Sequence, residues 1–150
     1  MANTKIVFWN SAGLRASAQR TAEKLAFIDK EFPHGKFDKA AFVETHHKNE
    51  EDLPDEIREY ATHHHLIHTP TPETHTHSGI VVLISKEFEI SRKSIILPGR
   101  LLNMRIAHTT TKAEYNLSVF YGPQWSKMKK TEITKFIEIF NNTHTINENN

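Results

Sequence analysis

Strand-like and helix-like patterns alternate along the first part of the chain. Residues 5–9 form a short, largely apolar run, which predicts a first strand. Ser17 then stands where a helix cap is expected, and the apolar residues after it recur at steps of three and four: Ala18, Ala22, Leu25, Ile28 and Phe32. Pro33 and Gly35 are typical of the end of such a helix. The pattern therefore predicts a strand followed by an amphipathic helix.

The same alternation continues from residue 40. The run at 40–43 predicts a short, fully apolar strand that stops at Glu44. Asp52 and Pro54 are typical of a helix start, and a third strand is predicted around 66–67. The order of elements is therefore βαβαβ, which is typical of an α/β protein in which helices cover a sheet.

The second half of the chain changes character. The segment 68–77 is rich in Pro, Thr and His, which predicts a surface loop. Four strand-like segments with short connections follow it and predict an antiparallel meander: 78–85, 88–97, 101–109 and 115–121. Ser126 is placed to cap a final helix, and a polar tail occupies about 141–150. We therefore predict one α/β domain over residues 1–150, with a mixed sheet.

Composition narrows the class of protein. With 150 residues, 37% hydrophobic and 25% charged, the chain is an ordinary globular sequence. Lys and Arg number 19 against 18 Asp and Glu, so net charge gives no support to a purely electrostatic nucleic-acid binder. The absence of cysteine excludes disulfides, thiolate chemistry and Cys-based zinc sites. Because the sequence shows neither a signal-peptide pattern nor a membrane-length apolar run, we expect neither secretion nor membrane association.

Three polar residues follow or end predicted strands. Asn10 and Glu44 stand at carboxyl ends, where open α/β sheets commonly bind ligands. A carboxylate there is poorly solvated, and bound Mg²⁺, which accepts one or two carboxylates together with water and phosphate oxygens, would keep it ionised. Tyr121, at the end of the last strand, is placed to hydrogen-bond a phosphate oxygen. Spacing alone still favours structural roles, with Asn10 capping a turn, Glu44 solvated and Tyr121 in the core.

The 11 histidines raise a separate possibility. His63, His64, His65 and His68 lie close together in sequence, which suggests a zinc site. The chain contains no His-Glu-x-x-His helix motif and no cysteine, and adjacent histidines point in divergent directions. Loop histidines are therefore the favoured interpretation, with a transition-metal binder as the alternative.

Four stretches, taken in order, resemble one family: WNSAGLR (9–15), AAFVETHH (40–47), HSGIVVLIS (77–85) and LSVFYGPQ (117–124). They are similar to the endonuclease/exonuclease/phosphatase superfamily, which includes exonuclease III-like DNA repair enzymes and the endonuclease domains of non-LTR retrotransposons. The Asn-x-x-Gly-Leu-Arg form and the Glu-Thr-His ending most resemble the retrotransposon branch. The stretch PGRLLNMRI (98–106) also stands where the family has a strand with a Gly-Arg pair.

The resemblance implies a phosphodiester hydrolase that uses Mg²⁺ or Mn²⁺. Glu44 would be the metal-binding carboxylate, Asn10 would lie beside the metal and the scissile phosphate, and Tyr121 would contact that phosphate. The implied partner is DNA, with RNA as an alternative. A retrotransposon origin would imply action in the nucleus.

The chain also departs from the family pattern. Gln124 stands where Asn is usual, and Ser78 replaces the first of a common glycine pair. The Gly-Asp-x-Asn and Ser-Asp-His motifs of the family's second half do not occur. We therefore expect the N-terminal half of a two-sheet α/β sandwich, with the second sheet missing, no activity alone, and association through an exposed sheet face. The alternative function is a non-catalytic relic or a weak nucleic-acid-binding or metal-binding module.

Overall fold

The computed structural model describes most of the chain, in these segments: 6–11, 18–31, 38–47, 49–70, 78–122, 130–131, 134–135, 137–139 and 141–142. Several predictions fall on residues outside this part: Ser17, Pro33, Gly35, Gln124, Ser126, the loop at 71–77 and the tail after 142. The remaining predicted strands and helices lie wholly or partly within it, and all three candidate site residues are described.

The described residues form seven strands and two bounded α-helices. In chain order they are β1 (Ile6–Asn10), α1 (Ala18–Glu31), β2 (Lys39–Val43), α2 (Asp55–Glu59), β3 (His64–Thr69), β4 (Ile80–Ser85), β5 (Phe88–Leu97), β6 (Leu101–His108) and β7 (Glu114–Phe120). Single 3-10 turns at Glu50–Asp52 and Tyr60–Thr62 flank α2, and the described residues between 130 and 142 are helical. None of the helices in this part is long and apolar enough to cross a membrane.

A four-stranded mixed sheet, in the order β1-β2-β4-β3, forms the middle layer. β2 pairs in parallel with β1, where Phe8 stands opposite Ala41, and antiparallel with β4, where Ala41 stands opposite Val82. All five residues of β2 are buried, as are the first five of β4. Continuous apolar runs of this kind are typical of central strands that are covered on both faces.

The second sheet is antiparallel and has the order β5-β6-β7. Leu102, Met104 and Ile106 alternate along β6 and face the first sheet. With Val119 of β7 they pack against residues such as Val82 of β4 to form the core between the sheets.

Helices cover the other face of the mixed sheet. There Ala40, Phe42 and Val81 form a second core cluster with Leu25 of α1 and Ile57 of α2. Because side chains alternate along a strand, β2 contributes to both clusters. The described chain therefore has three layers: helices, mixed sheet and antiparallel sheet.

These observations confirm the predicted α/β class and βαβαβ order, as part of a two-sheet sandwich. Two details differ. β4 does not belong to the meander, because its continuous apolar run needs cover on both faces and is inserted between β2 and β3. The second sheet is also not wholly missing, because β5, β6 and β7 form three of its strands and cover part of the mixed sheet. In addition, residues 68 and 69 belong to strand β3 (His64–Thr69), whereas the composition of 68–77 had suggested a loop there.

Gly99, in the turn between β5 and β6, makes a close contact with the first sheet. Its φ is +71°, which favours glycine. A Cβ at this position would approach three atoms to within 2.8–3.0 Å: Ser78 Oγ, Pro70 O and Gly79 N. The Gly99 N–H also donates to Thr69 Oγ1 over 2.7 Å. This contact holds Arg100, the next residue, against the end of the mixed sheet.

We predict that Gly99→Ala destabilises the fold by about 2 kcal/mol, because the new methyl group meets backbone atoms and the backbone conformation becomes strained. Urea unfolding followed by circular dichroism measures this change. Lys112→Gly is the matched control, since exposed Lys112 has a φ of 61° and glycine there relieves strain. Equal midpoints for Gly99→Ala and the wild type would show that the turn relaxes around the methyl group.

Candidate active site

The carboxyl ends of β1 and β2 meet at one edge of the mixed sheet, because the two strands are parallel. Asn10 stands opposite Val43, the residue before Glu44. Buried Ser11 fixes this junction: its N–H donates to the Val43 carbonyl oxygen over 3.0 Å, and its hydroxyl contacts the carbonyl oxygens of Val43 and Glu44 at 2.9 and 3.1 Å. The structure therefore places Asn10 and Glu44 at neighbouring strand ends.

Glu44 leaves β2 in the left-handed region, with φ of 59°, and His46 has φ of 62°. Each such residue costs on the order of 1 kcal/mol, and such strain tends to occur at functional sites. The segment is held by hydrogen bonds from Thr45 N–H to Gly79 O (3.2 Å) and from His46 N–H to Ser78 O (2.9 Å). Glu44 Oε1 lies 3.4 Å from His46 Nε2, and each side chain is only 19% exposed. Glu44 is therefore not a freely solvated strand end.

Tyr121 reaches the same edge from the second sheet. Its N–H donates to the Arg100 carbonyl oxygen over 2.8 Å, which continues the β6–β7 pairing past the end of β7. Burial raises the pKa of its phenol, and the negative charge of Glu44 and a hydrogen bond to the Glu44 side chain raise it further. Tyr121 packs partly against the core between the sheets. The ring of Tyr121 therefore packs in the core, as one interpretation expected, while its hydroxyl contacts Glu44. The contact with a phosphate oxygen stays a prediction.

Arg100 is a site residue that the sequence analysis did not single out. Its guanidinium carbon lies 5.3 Å from the centre of the Tyr121 ring, and its Nη1 donates to Gly122 O over 3.1 Å. Burial lowers the pKa of Arg100, while Tyr121 and Glu44 act in the opposite direction. The one available indication was the Gly-Arg pair between two predicted strands. His46 was also missed, although it stands within the quoted AAFVETHH stretch.

The structure thus brings together one carboxylate, one phenol, one guanidinium and one imidazole. Glu44 is the common partner: His46 and Tyr121 contact it, and Arg100 acts on it electrostatically. Asn10 lies on the neighbouring strand end with its side chain exposed. Carboxylate and amide oxygens suit Mg²⁺, which keeps several waters and needs few protein ligands. The Glu44 carboxylate and the Asn10 amide are therefore compatible with Mg²⁺. Arg100 and Tyr121 carry hydrogen-bond donors suited to an anion.

The histidine cluster has a different explanation. His64 Nδ1 donates to Tyr60 O at 3.3 Å and His65 Nε2 to Phe88 O at 2.9 Å, so both rings bind backbone carbonyl groups. His68 is partly buried, and burial together with the proximity of His47 lowers its pKa. Within the part of the chain that the structure describes, no three His, Asp or Glu residues are grouped to hold a metal ion. These contacts give no support to a histidine-based zinc site.

Comparison with known proteins bears on the fold. No family model matches the sequence, and a search of curated proteins found no match. The AP endonuclease LMAP from Leishmania major superposes with a TM-score of 0.58 and 21% identity over 87% of this chain. TDP2 from Caenorhabditis elegans superposes with a TM-score of 0.66 and 11% identity over 98% of this chain.

The chain has the endonuclease/exonuclease/phosphatase fold. The resemblance carried by the four sequence stretches is thereby confirmed at the level of the fold. The chain spans 43% of the length of each of these two solved structures, so it corresponds to part of each of them.

The contact between Glu44 and Tyr121 makes a testable prediction. Replacing Glu44 with Gln removes the negative charge that disfavours the phenolate, so the pKa of Tyr121 should fall towards its usual value of 10.0. Titration of Cζ-labelled tyrosines by NMR measures this pKa. Tyr60 is an internal control. Burial and Asp29 raise its pKa, and the Glu44→Gln substitution changes neither of these causes.

The same titration has a pH consequence for stability. The pKa of Tyr121 in the folded chain lies above its value in the unfolded chain. The contribution of Tyr121 to the free energy of unfolding is therefore present below pH 10.0 and is lost as pH rises through the folded pKa.

Arg100→Gln should move the Tyr121 pKa upwards, since Arg100 lowers it. A Tyr121 pKa that is the same in the wild type and both variants would show that the three side chains do not interact.

Proposed function

We propose that this chain supplies one part of the active site of a metal-dependent phosphodiesterase that acts on DNA. The observation that carries the proposal is the contact of Tyr121 with Glu44 at the edge where β1 and β2 end, within the endonuclease/exonuclease/phosphatase fold. The two side chains come from different sheets and meet at one place.

Glu44 and Asn10 are the proposed metal ligands. Glu44 offers carboxylate oxygens held in place by Tyr121 and His46, and Asn10 offers an amide oxygen from the adjacent strand. When bound, Mg²⁺ or Mn²⁺ would neutralise the charge that develops on the phosphoryl oxygens during hydrolysis. The requirement on the protein is modest, since Mg²⁺ retains waters as its remaining ligands.

Arg100 and Tyr121 are the proposed phosphate-binding residues. The guanidinium group stacks near the phenol ring and is partly shielded from water, so its charge is screened less than that of a surface arginine. Guanidinium and phenol are both hydrogen-bond donors of the kind that bind phosphate oxygens. A phosphodiester bound there would lie beside the Glu44 carboxylate.

DNA is the proposed substrate, with RNA as the alternative. One solved structure that shares the fold is an AP endonuclease, and the stretches at 9–15 and 40–47 resemble the endonuclease domains of non-LTR retrotransposons. Action in the nucleus follows if the chain derives from such an element.

A second candidate is a non-catalytic module that binds metal or nucleic acid weakly. The described residues contribute only one carboxylate to this edge, which supports this candidate. No three acidic or histidine residues among them are grouped so that they could hold a metal ion. Hydrolysis also needs a group that orients or deprotonates water, and the described site has no carboxylate free of the proposed metal role.

Metal binding tests the proposed role of Glu44. We expect Mn²⁺ to bind the 150-residue chain, as measured by electron paramagnetic resonance, and Glu44→Gln to weaken binding at least about tenfold because the carboxylate is lost. Glu89→Gln is the matched control, since Glu89 is exposed on β5 in the second sheet. Equal weakening by both variants would mean that Mn²⁺ binds through general surface charge.

Catalysis is a separate test that divides the two candidate functions. We expect the purified chain to show no Mg²⁺-dependent nicking of plasmid DNA, because the described site lacks a water-activating carboxylate. Nicking that is retained in Glu89→Gln and abolished in Glu44→Gln would overturn this expectation and establish a self-sufficient nuclease.

A further inference from the structure

The segment 44–47, which follows β2, depends on contacts from outside the segment for its conformation. It contains two residues with left-handed backbone conformations, Glu44 and His46. Such conformations persist only where the surrounding structure holds them in place. The backbone hydrogen bonds to Ser78 and Gly79 supply part of this hold. Two histidine side chains add to it.

His47 is the first of these two histidines. It is only 3% exposed, and its ring Nδ1 lies 2.8 Å from the carbonyl oxygen of Thr45. Because a carbonyl oxygen can only accept, Nδ1 carries the hydrogen and donates it. The ring therefore ties His47 to the residue that directly follows Glu44.

His68 of β3 is the second. Its side chain hydrogen-bonds to the backbone of His47. Side chains alternate along a strand, so His68 shares the face of Leu66, which packs against the helix-side cluster. One series of hydrogen bonds thus runs from β3 through His47 to Thr45, next to Glu44.

His68 fits this position only when its ring is neutral. Its Nε2 atom is buried and has no hydrogen-bond partner among the described residues, so the bond to His47 comes from Nδ1. A proton on Nε2 would place a charged N–H group in a buried site without an acceptor, which is costly. Burial and the nearby His47 accordingly lower the pKa of His68, while the hydrogen bond to the His47 backbone acts in the opposite direction.

The surroundings of His68 offer no compensating negative charge in the described part of the chain. Across the sheet, it stands opposite an apolar residue of β4. His64, on the same face of β3, is directed to a backbone carbonyl group, and His46 contacts the Glu44 carboxylate. His47 is the one described titratable group that acts on His68 electrostatically, and its effect disfavours a second positive charge.

We propose that His68 is a positioning residue for Glu44, and that it holds the segment 44–47 through His47 only while its imidazole is neutral. The stability that the neutral ring contributes is complete above its usual pKa of 6.5 and is lost as pH falls through the lower folded value. The contact between Glu44 and Tyr121 therefore loosens at mildly acidic pH. The hold on the segment needs no metal, whereas its consequence for metal binding rests on the proposed function.

Hydrogen exchange of the Thr45 and His46 amides, followed by NMR, measures this hold, because both N–H groups are hydrogen-bonded in the folded chain. We expect their protection factors in the wild type to fall at least about tenfold between about pH 7.5 and about pH 5. His68→Asn should remove this pH dependence, since Asn keeps a donor near the place of Nδ1 and does not titrate.

His65→Gln is the matched control for this experiment. His65 lies on the same strand and its Nε2 also donates to a backbone carbonyl group, but it belongs to the other face of the sheet. This variant should keep the pH dependence of the wild type. The same loss of protection at acidic pH in the wild type and in His68→Asn would overturn the proposal.

The pKa of Tyr121 reports the position of Glu44 at alkaline pH, where His68 is neutral. His68→Leu removes the donor, so Glu44 should move away and the pKa of Tyr121 should fall towards 10.0, whereas His68→Asn should keep it raised. An unchanged pKa of Tyr121 in folded His68→Leu would contradict the positioning role. If His68→Leu does not fold by circular dichroism, the pH profile of His68→Asn decides.

Mn²⁺ binding separates this proposal from the proposed function. Between about pH 7.5 and about pH 5, affinity should fall at least about tenfold more in the wild type than in His68→Asn. Amides and a Tyr121 pKa that respond as expected, without any Mn²⁺ binding, would support the positioning role and remove the proposed metal role. Mn²⁺ binding that depends on Glu44, with amide protection independent of His68, would overturn the positioning role alone.

Discussion

The burial of β2 on both faces is the constraint on which the rest of the described structure depends. The helix layer covers Ala40 and Phe42, and the second sheet covers Ala41 and Val43. The strand can therefore lie only in the middle of the sheet, with β1 and β4 as its two neighbours. Its carboxyl end is where this cover stops, and Glu44 is the first residue after it with appreciable exposure. The position of the carboxylate is thus a consequence of core packing.

The sequence predicted this part of the site because the evidence was local. An apolar run that ends in a charged residue marks a strand end, and the two βα units imply parallel strands whose ends meet. Asn10 and Glu44 are neighbours for that reason. Tyr121 was predicted to stand at the end of a strand, and the structure adds its hydrogen bond to Glu44.

The sequence analysis expected a two-sheet sandwich but did not predict that the strands of this chain divide between both sheets, although the sequence carried an indication of it. β4 is continuously apolar (IVVLI), whereas β6 alternates between apolar and polar residues (LLNMRI). The first pattern requires cover on both faces and the second on one, so the two strands belong in different environments. Strand-pairing partners are less accessible, because antiparallel neighbours are specified by contacts between residues distant in sequence.

Arg100 and His46 were missed for the same physical reason. Arg100 reaches Tyr121 and Glu44 only because the Gly99 turn is pressed against Ser78 and Gly79, which are distant in sequence. The contact of His46 with Glu44 depends on two left-handed residues, and such conformations are uncommon for residues other than glycine. A local sequence pattern predicts which faces of a strand or helix are apolar. It does not predict where a turn in another sheet will place a charged side chain such as Arg100.

The charges at this edge also constrain how ligands would bind in the proposed function. The Tyr121 hydroxyl hydrogen-bonds to Glu44 and Arg100 acts on it electrostatically, so the carboxylate already has partners. A cation that bound Glu44 alone would bring positive charge close to Arg100, which is unfavourable in a partly buried site. A phosphate group that engaged Arg100 and Tyr121 would offset that charge and release the carboxylate for the metal. Metal and phosphate are therefore expected to favour each other's binding, a coupling that is reciprocal by thermodynamic necessity. The same arrangement explains why a site with one described carboxylate can be suited to a metal that phosphate oxygens help to hold.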